Sequence, residues 1–232
     1  MTSVNDLRAF VYDVTDLDED DLPRSLVHLY MQDAFNRIIN LERRWPFYET
    51  TYSLSTTANQ RDYPISSIGT GNLREVISIM DNSVSGNRLA IISLDEAEAV
   101  WNGSFDVPTR PLFFAEWAET IKLFPKPDVA YPLTIRGYRK PSYTWVTDTT
   151  QPPDCDYRFH QAIAYYAISQ AYKRQEDSEM SAVYQRSFDE AVGLARAEIM
   201  RPPSHRPMIM SRGSVRPSEK YWLESMGRTL GQ

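Results

Sequence analysis

The chain has 232 residues, is 42% hydrophobic and 24% charged, and carries a net charge of −6 at pH 7. This composition permits a sizeable core and excludes wholesale disorder. The single cysteine, Cys155, excludes an internal disulfide and a cysteine-built zinc cluster.

The opening "MTSVNDLRAF" lacks the basic-then-apolar order of a signal peptide. "TSVNDLRAFVYDVTDLDEDDLPRSL" predicts a short first helix, an acidic link, and a second helix from about Pro23. Proline suits the first helical turn, where its missing N–H costs nothing. In that second helix Leu26, Leu29, Tyr30, Ala34, Ile38 and Leu41 recur at helical spacing, and Phe35 and Ile39 widen the stripe. Pro46 is expected to end it. From Phe47 to about Val146 the runs become short, β-branched and aromatic: "YETTYSL", "LREVISIM", "RLAII", "LFFAEW", "ETIKLF" and "YPLTIRGYR". In the last run Tyr131, Leu133 and Ile135 share one face, and Thr134, Arg136 and Tyr138 share the other. "GN" at 86–87 and "PKPD" at 125–128 read as hairpin connections. "SLDEAEAVW" predicts one helix in this region, opened by a Ser93/Glu96 capping box.

After "TTQPPD" the helical period returns, capped by Asp154 or Asp156, with Phe159, Ile163, Tyr166, Ala167 and Ala171 as its buried stripe. Beyond "QEDSE", Met180, Val183, Tyr184, Phe188, Ala191, Val192, Ala195 and Ile199 mark another helix, which Pro202 and Pro203 stop. Helices, strands, helices, then tail: this order predicts an α+β fold. Its simplest form is an antiparallel helical bundle of residues 1–46 with 155–200, an inserted β-rich domain over 47–154, and an extended C-terminal tail over 201–232. The longest apolar run, "AIAYYAI", is too short to span a bilayer, so no membrane partner is expected.

The search for chemistry is mostly empty. "DLDEDDLPRSLV" resembles a calcium loop at Asp16, Asp18 and Asp20, but its sixth position is Asp21 instead of glycine and its twelfth is Val27 instead of glutamate. It reads better as a solvated acidic link favouring the N-terminus of the next helix. "DCDYRFH" brings Asp154, Cys155, Asp156 and His160 close in sequence, yet nothing aims the imidazole at the thiol, and helix capping beside a half-buried histidine explains the pattern. Phosphate-binding glycine loops and the serine-hydrolase elbow are absent from the sequence. The expectation is a protein with no catalytic residue, no cofactor and no metal.

The tail is different. Residues 201–232 hold six basic side chains and two acidic ones, a charge of +4 that leaves −10 on the remainder. Prolines at 202, 203, 207 and 217 stiffen the segment, and fully extended it reaches on the order of 100 Å. Tyr221, Trp222, Leu223 and Met226 are anchors of the kind that dominate interfaces, with Arg206, Arg212 and Arg216 supplying charge, so these seven are the candidate partner-binding residues.

"FYETTYSLSTTANQRDYPI", "RLAIISLDEAEAVW", "ETIKLFPKPDVAYPLTIRGYRKP" and "FHQAIAYYAISQAYKRQEDSEMSAVYQRSFDEAV" together resemble the head-to-tail connector (portal adaptor) proteins of short-tailed bacteriophages, over roughly residues 25–200. The resemblance implies a structural virion protein at the head–tail junction, assembled in the bacterial host cytoplasm. It implies a ring, commonly of twelve copies, docked beneath the portal protein and offering a platform to tail or nozzle proteins. Double-stranded DNA would pass through the channel without specific binding, and the C-terminus would attach to the portal. Two other readings compete: a different tail or capsid-stabilising virion protein, and a carbohydrate-binding or hydrolysing module suggested by aromatics in a β-rich region.

Overall fold

The computed structural model describes residues 3–83, 87–101 and 107–200. Among them the elements run α1 (Val4–Thr15), α2 (Arg24–Leu41), β1 (Glu49–Ser55), β2 (Asp62–Pro64), β3 (Leu73–Asp81), β4 (Asn87–Ile91), α3 (Leu94–Val100), β5 (Phe113–Trp117), β6 (Thr120–Phe124), β7 (Pro132–Arg139), α4 (Thr144–Thr147), α5 (His160–Arg174) and α6 (Ser178–Ile199). The fold is mixed α+β.

Local chemistry explains the helix starts. The Ser3 hydroxyl accepts from the Asp6 N–H while the Asp6 carboxylate accepts from the Ser3 N–H, a reciprocal cap that opens α1. Ser93 and Glu96 do the same for α3, as expected. Asp156 caps the single 3-10 turn leading into α5 by accepting from the Arg158 N–H. Pro23 stands one residue before α2 and contributes no side-chain cap.

Two expectations for α2 need correction. The helix ends at Leu41, well before Pro46, because Glu42 is already extended and pairs with Arg196, while Arg43 and Arg44 reach Glu75 on β3. These charges turn the chain toward the sheet before the proline does. The buried stripe is also rotated: Val27, Met31, Ala34, Phe35, Ile38 and Ile39 are buried, whereas Leu29 is 57% and Leu41 48% exposed. Helix α5 is buried more widely than its predicted stripe, taking in Ala162, Ala164, Ile168 and Ser169 as well. Small side chains there allow neighbours close on several sides, and α5 packs against α1, α2 and α6. Helix α6 meets the core with Phe188, Val192 and Ala195 and leaves Val183 exposed.

One apolar cluster joins α1, α2, α5 and α6 with Trp45, Tyr48 and Trp145. A second fills the sheet and includes Leu73, Ile79, Leu89, Phe114, Leu133 and Ile135. The sheet order is β1-β7-β3-β4-β5-β6-β2, with β4 and β5 parallel and the other pairs antiparallel. Strands β3 and β4 form the hairpin expected near Asn87, although residues 84–86 lie outside the described set. "PKPD" at 125–128 is not a hairpin connection, because β6 and β7 occupy separate places in the sheet and β7 inserts between β1 and β3. The tight hairpin instead joins β5 to β6 through Ala118 and Glu119, both at positive φ, where Trp117 faces Thr120. Sequence reasoning passed over it because neither residue is the glycine or asparagine that such turns favour.

Besides the Glu75 pairs with Arg43 and Arg44, a second polar joint lies where β7 ends. Arg139 holds Asp154 through two hydrogen bonds of 2.6 and 2.7 Å, and the Asp154 carboxylate also accepts from the Ser142 N–H at 2.6 Å. The Tyr48 hydroxyl donates to the Asp154 carbonyl at 2.7 Å, and the Arg139 guanidinium lies 4.9 Å from the Tyr48 ring centre. Bidentate, charge-assisted geometry of this kind fixes orientation as well as adding energy.

Candidate interaction surfaces

The residues singled out by "DCDYRFH" do not converge on a reactive centre. Asp154 is committed to Arg139, Asp156 caps the turn before α5, and burial pushes the Cys155 thiol far above its ordinary range, with Asp154 and Asp156 adding to the shift. A thiol kept protonated is a poor nucleophile. His160 is 4% exposed, more buried than expected, and neither ring nitrogen completes a hydrogen bond among the described residues. In the acidic link, the Asp18 carboxylate accepts from the N–H groups of Asp20 and Asp21 at 2.9 and 3.1 Å, so the chain uses it to shape its own turn.

His160 makes a pH-dependence prediction. Burial lowers its pKa below the ordinary 6.5, and the nearby backbone at Cys155 and Pro153 offsets this only in part. The unfolded histidine therefore takes a proton at a pH where the folded one still refuses it. Stability conferred by this difference is lost as pH falls through 6.5 toward the folded value. Asp33 and Glu75 act in a lower window. The Tyr166 hydroxyl and the Arg44 guanidinium, respectively, hold them below 3.8 and 4.5, and their contribution goes only as pH falls past those values. Urea unfolding of His160→Leu should thus show a flatter decline between about pH 7 and pH 5 than the parent, with His28, also lowered by burial, accounting for what remains. An unchanged slope would remove His160 as the source.

A concavity lies on the sheet. Cross-strand partners point to one side, so Thr51, Arg136 and Ser78 form one row over β1, β7 and β3. Ser53, Thr134, Met80 and Arg88 form the next, over β1, β7, β3 and β4. Arg88 and Arg136 are exposed and line a cavity of about 590 Å³ with Thr51, Ser78 and Tyr138, Glu49 standing at one end. Arg88 approaches the Ile77 carbonyl at 3.5 Å, and neither arginine forms an ion pair among the described residues. The alternation in "YPLTIRGYR" already placed Thr134, Arg136 and Tyr138 together; Arg88 joins them through strand pairing that no local pattern reveals. A second concavity of about 490 Å³ runs between α2 and α6, lined by Leu41, Phe188 and Val192 with Arg37 and Arg196 at its rim.

The family model described as SU10 adaptor protein matches residues 4–211, from the first turn of α1 to beyond α6. The chain belongs to the SU10 adaptor protein family. A search of curated proteins finds no match. Membership in this adaptor family makes the chain a structural component of the bacteriophage virion, associated with portal and tail proteins. The match starts well before the region near residue 25 where the sequence resemblance begins, so the adaptor family includes α1. No described helix is long and apolar enough to cross a membrane, and no described group of histidine, cysteine, aspartate and glutamate is placed to hold a metal ion. The seven candidate partner-binding residues, Arg206, Arg212, Arg216, Tyr221, Trp222, Leu223 and Met226, lie outside the described residues. All but Arg206 also lie beyond the adaptor match, which ends at 211.

Proposed function

We propose that the protein is the head-to-tail adaptor of a short-tailed phage, forming a ring of twelve copies beneath the portal and continuing its DNA channel. The match to the adaptor family over residues 4–211 carries this reading. In it, residues 1–46 and 155–200 form an antiparallel helical bundle that builds the ring wall, and residues 47–154 form an inserted domain directed to tail or nozzle proteins. The separation of the apolar core into a helical cluster and a sheet cluster supports that division. The −10 charge of residues 1–200 supports a wall along which the genome slides, since a negative surface repels backbone phosphates.

Residues 201–232 tether each subunit to the portal. Their charge of +4, their prolines and the Tyr221, Trp222, Leu223 and Met226 anchors suit a strap that crosses to a partner. Twelve weak straps on one ring bind with avidity when the symmetries allow simultaneous engagement. Electron microscopy of the protein added to cognate portal rings, with and without residues 201–232, tests both parts. Docked rings with the full chain and bare portals with the truncated one are expected. Full docking by the truncated chain would move attachment to the helical core, and no docking by either would remove the adaptor reading.

A further inference from the structure

The Arg88–Arg136 sheet face stands out within an acidic chain. Arg24, Arg37, Arg44, Arg110, Arg139 and Arg196 each have a carboxylate partner, while Arg8, Arg74, Arg174 and Arg186, like Arg88 and Arg136, form no ion pair among the described residues. Arg88 and Arg136 differ in sharing one concavity, with the hydroxyls of Thr51 and Ser78 and with Tyr138, whose hydroxyl donates to Glu49 at 3.4 Å. An arginine pair beside hydroxyl donors matches carboxylate oxygens, which accept from both.

The complementary surface is on the same chain. The link between α1 and α2 exposes Asp16, Asp18, Glu19, Asp20 and Asp21. It is held in shape: Leu22 is fully buried, its N–H donates to the Asp18 carbonyl at 3.0 Å, and its carbonyl accepts from the Tyr12 hydroxyl at 2.8 Å. A knuckle already ordered in the free subunit loses little entropy on docking.

We propose that the Arg88–Arg136 face of one copy receives the Asp16–Asp21 link of the next copy in the ring. This deepens the adaptor reading above and rests on it. A contact between two different patches of identical subunits is heterologous, and heterologous contacts close into rings when the rotation permits. Duplex DNA is the poorer occupant. Tight duplex binding draws on many phosphate contacts, and this face offers two arginines, Arg88 and Arg136, on a chain of net charge −6.

Two charge-reversed full-length variants test the contact: Arg88→Glu with Arg136→Glu, and Glu19→Lys with Asp20→Lys and Asp21→Lys, which turns the link's net charge positive and leaves the turn-shaping Asp18 in place. The altered side chains are exposed, and thermal melts establish that each variant is folded. Each alone presents like charges at the contact, so subunits bound per cognate portal ring, read by electron microscopy and sedimentation, should fall about ten-fold near half-saturation. Mixed together the two variants restore opposite charges at every contact of an alternating ring, and occupancy should return. The wild-type contact should also weaken between about 0.05 M and 0.5 M salt as exposed charges are screened. Wild-type occupancy by either variant alone, or no recovery on mixing, overturns the contact while leaving the ring reading intact. Loss of duplex binding by the arginine variant with unchanged ring assembly overturns it too, by assigning the face to phosphate. Failure of the wild type to occupy the portal removes both readings together.

Discussion

Trp45→Ala is expected to cost about 3–5 kcal/mol of stability, lowering the melting temperature by about 10 °C. Trp45 is completely buried where the chain passes from α2 toward β1, its ring stacked on Phe47 at 5.4 Å and set edge-on to Phe159 at 5.3 Å. The truncation removes a contact joining the end of the N-terminal helices to Phe159, just before α5, within the helical apolar cluster. The Trp45 indole N–H has no hydrogen-bond partner among the described residues, so the loss is one of packing. Trp45→Phe should accordingly retain much of the stability. Urea unfolding of both variants checks this, and equal losses would refute the packing account.

Gly137→Ala is the second large effect, at about 1–3 kcal/mol with a reason to lie at the upper end. A Cβ at this position would stand 2.1 Å from the Glu75 carbonyl oxygen and 2.9 Å from Leu73 Cδ1. The first obstacle is backbone. It belongs to β3, whose register against β7 shifts between Leu73 and Glu75 and again between Val76 and Ser78, so the bulged strand crowds its neighbour here. Relief requires β3 and β7 to part, weakening the pairing that centres the sheet. The expected outcome is a lower urea midpoint with an unchanged slope. A midpoint equal to the parent's would show that the bulge yields at little cost.

The sequence made much of this legible because most elements obey a local rule. Short β-branched and aromatic runs marked β1, β3, β4, β5, β6 and β7, with alternation visible in the last. Ser93 gave the start of α3 directly, while of the two aspartates offered as a cap near α5 it is Asp156 that caps the turn before the helix. Three features escaped because their causes are not local. Strand β2 is three residues long, too short to show a period, and exists through its pairing with β6. The end of α2 is decided by ion pairs to Arg196 and Glu75, far along the chain. The rotation of its buried stripe away from Leu29 and Leu41 is set by where α1 and α5 lie, which the 3.6-residue period alone does not specify. The candidate surface was half visible: Arg136 and Tyr138 share a face by alternation, but only the order β1-β7-β3-β4 brings Arg88 to them.

The place of β7 bears on the timing of synthesis. This strand sits between β1 and β3, so Glu49 waits for Tyr138, and the apolar faces of α1 and α2 wait longer for α5 and α6. A ribosome delivering the chain from its N-terminus presents those two helices without their partners until most of the polypeptide has emerged. The cost of joining early and late segments falls on the nascent chain, which must stay free of wrong associations while its closing pieces are still being made.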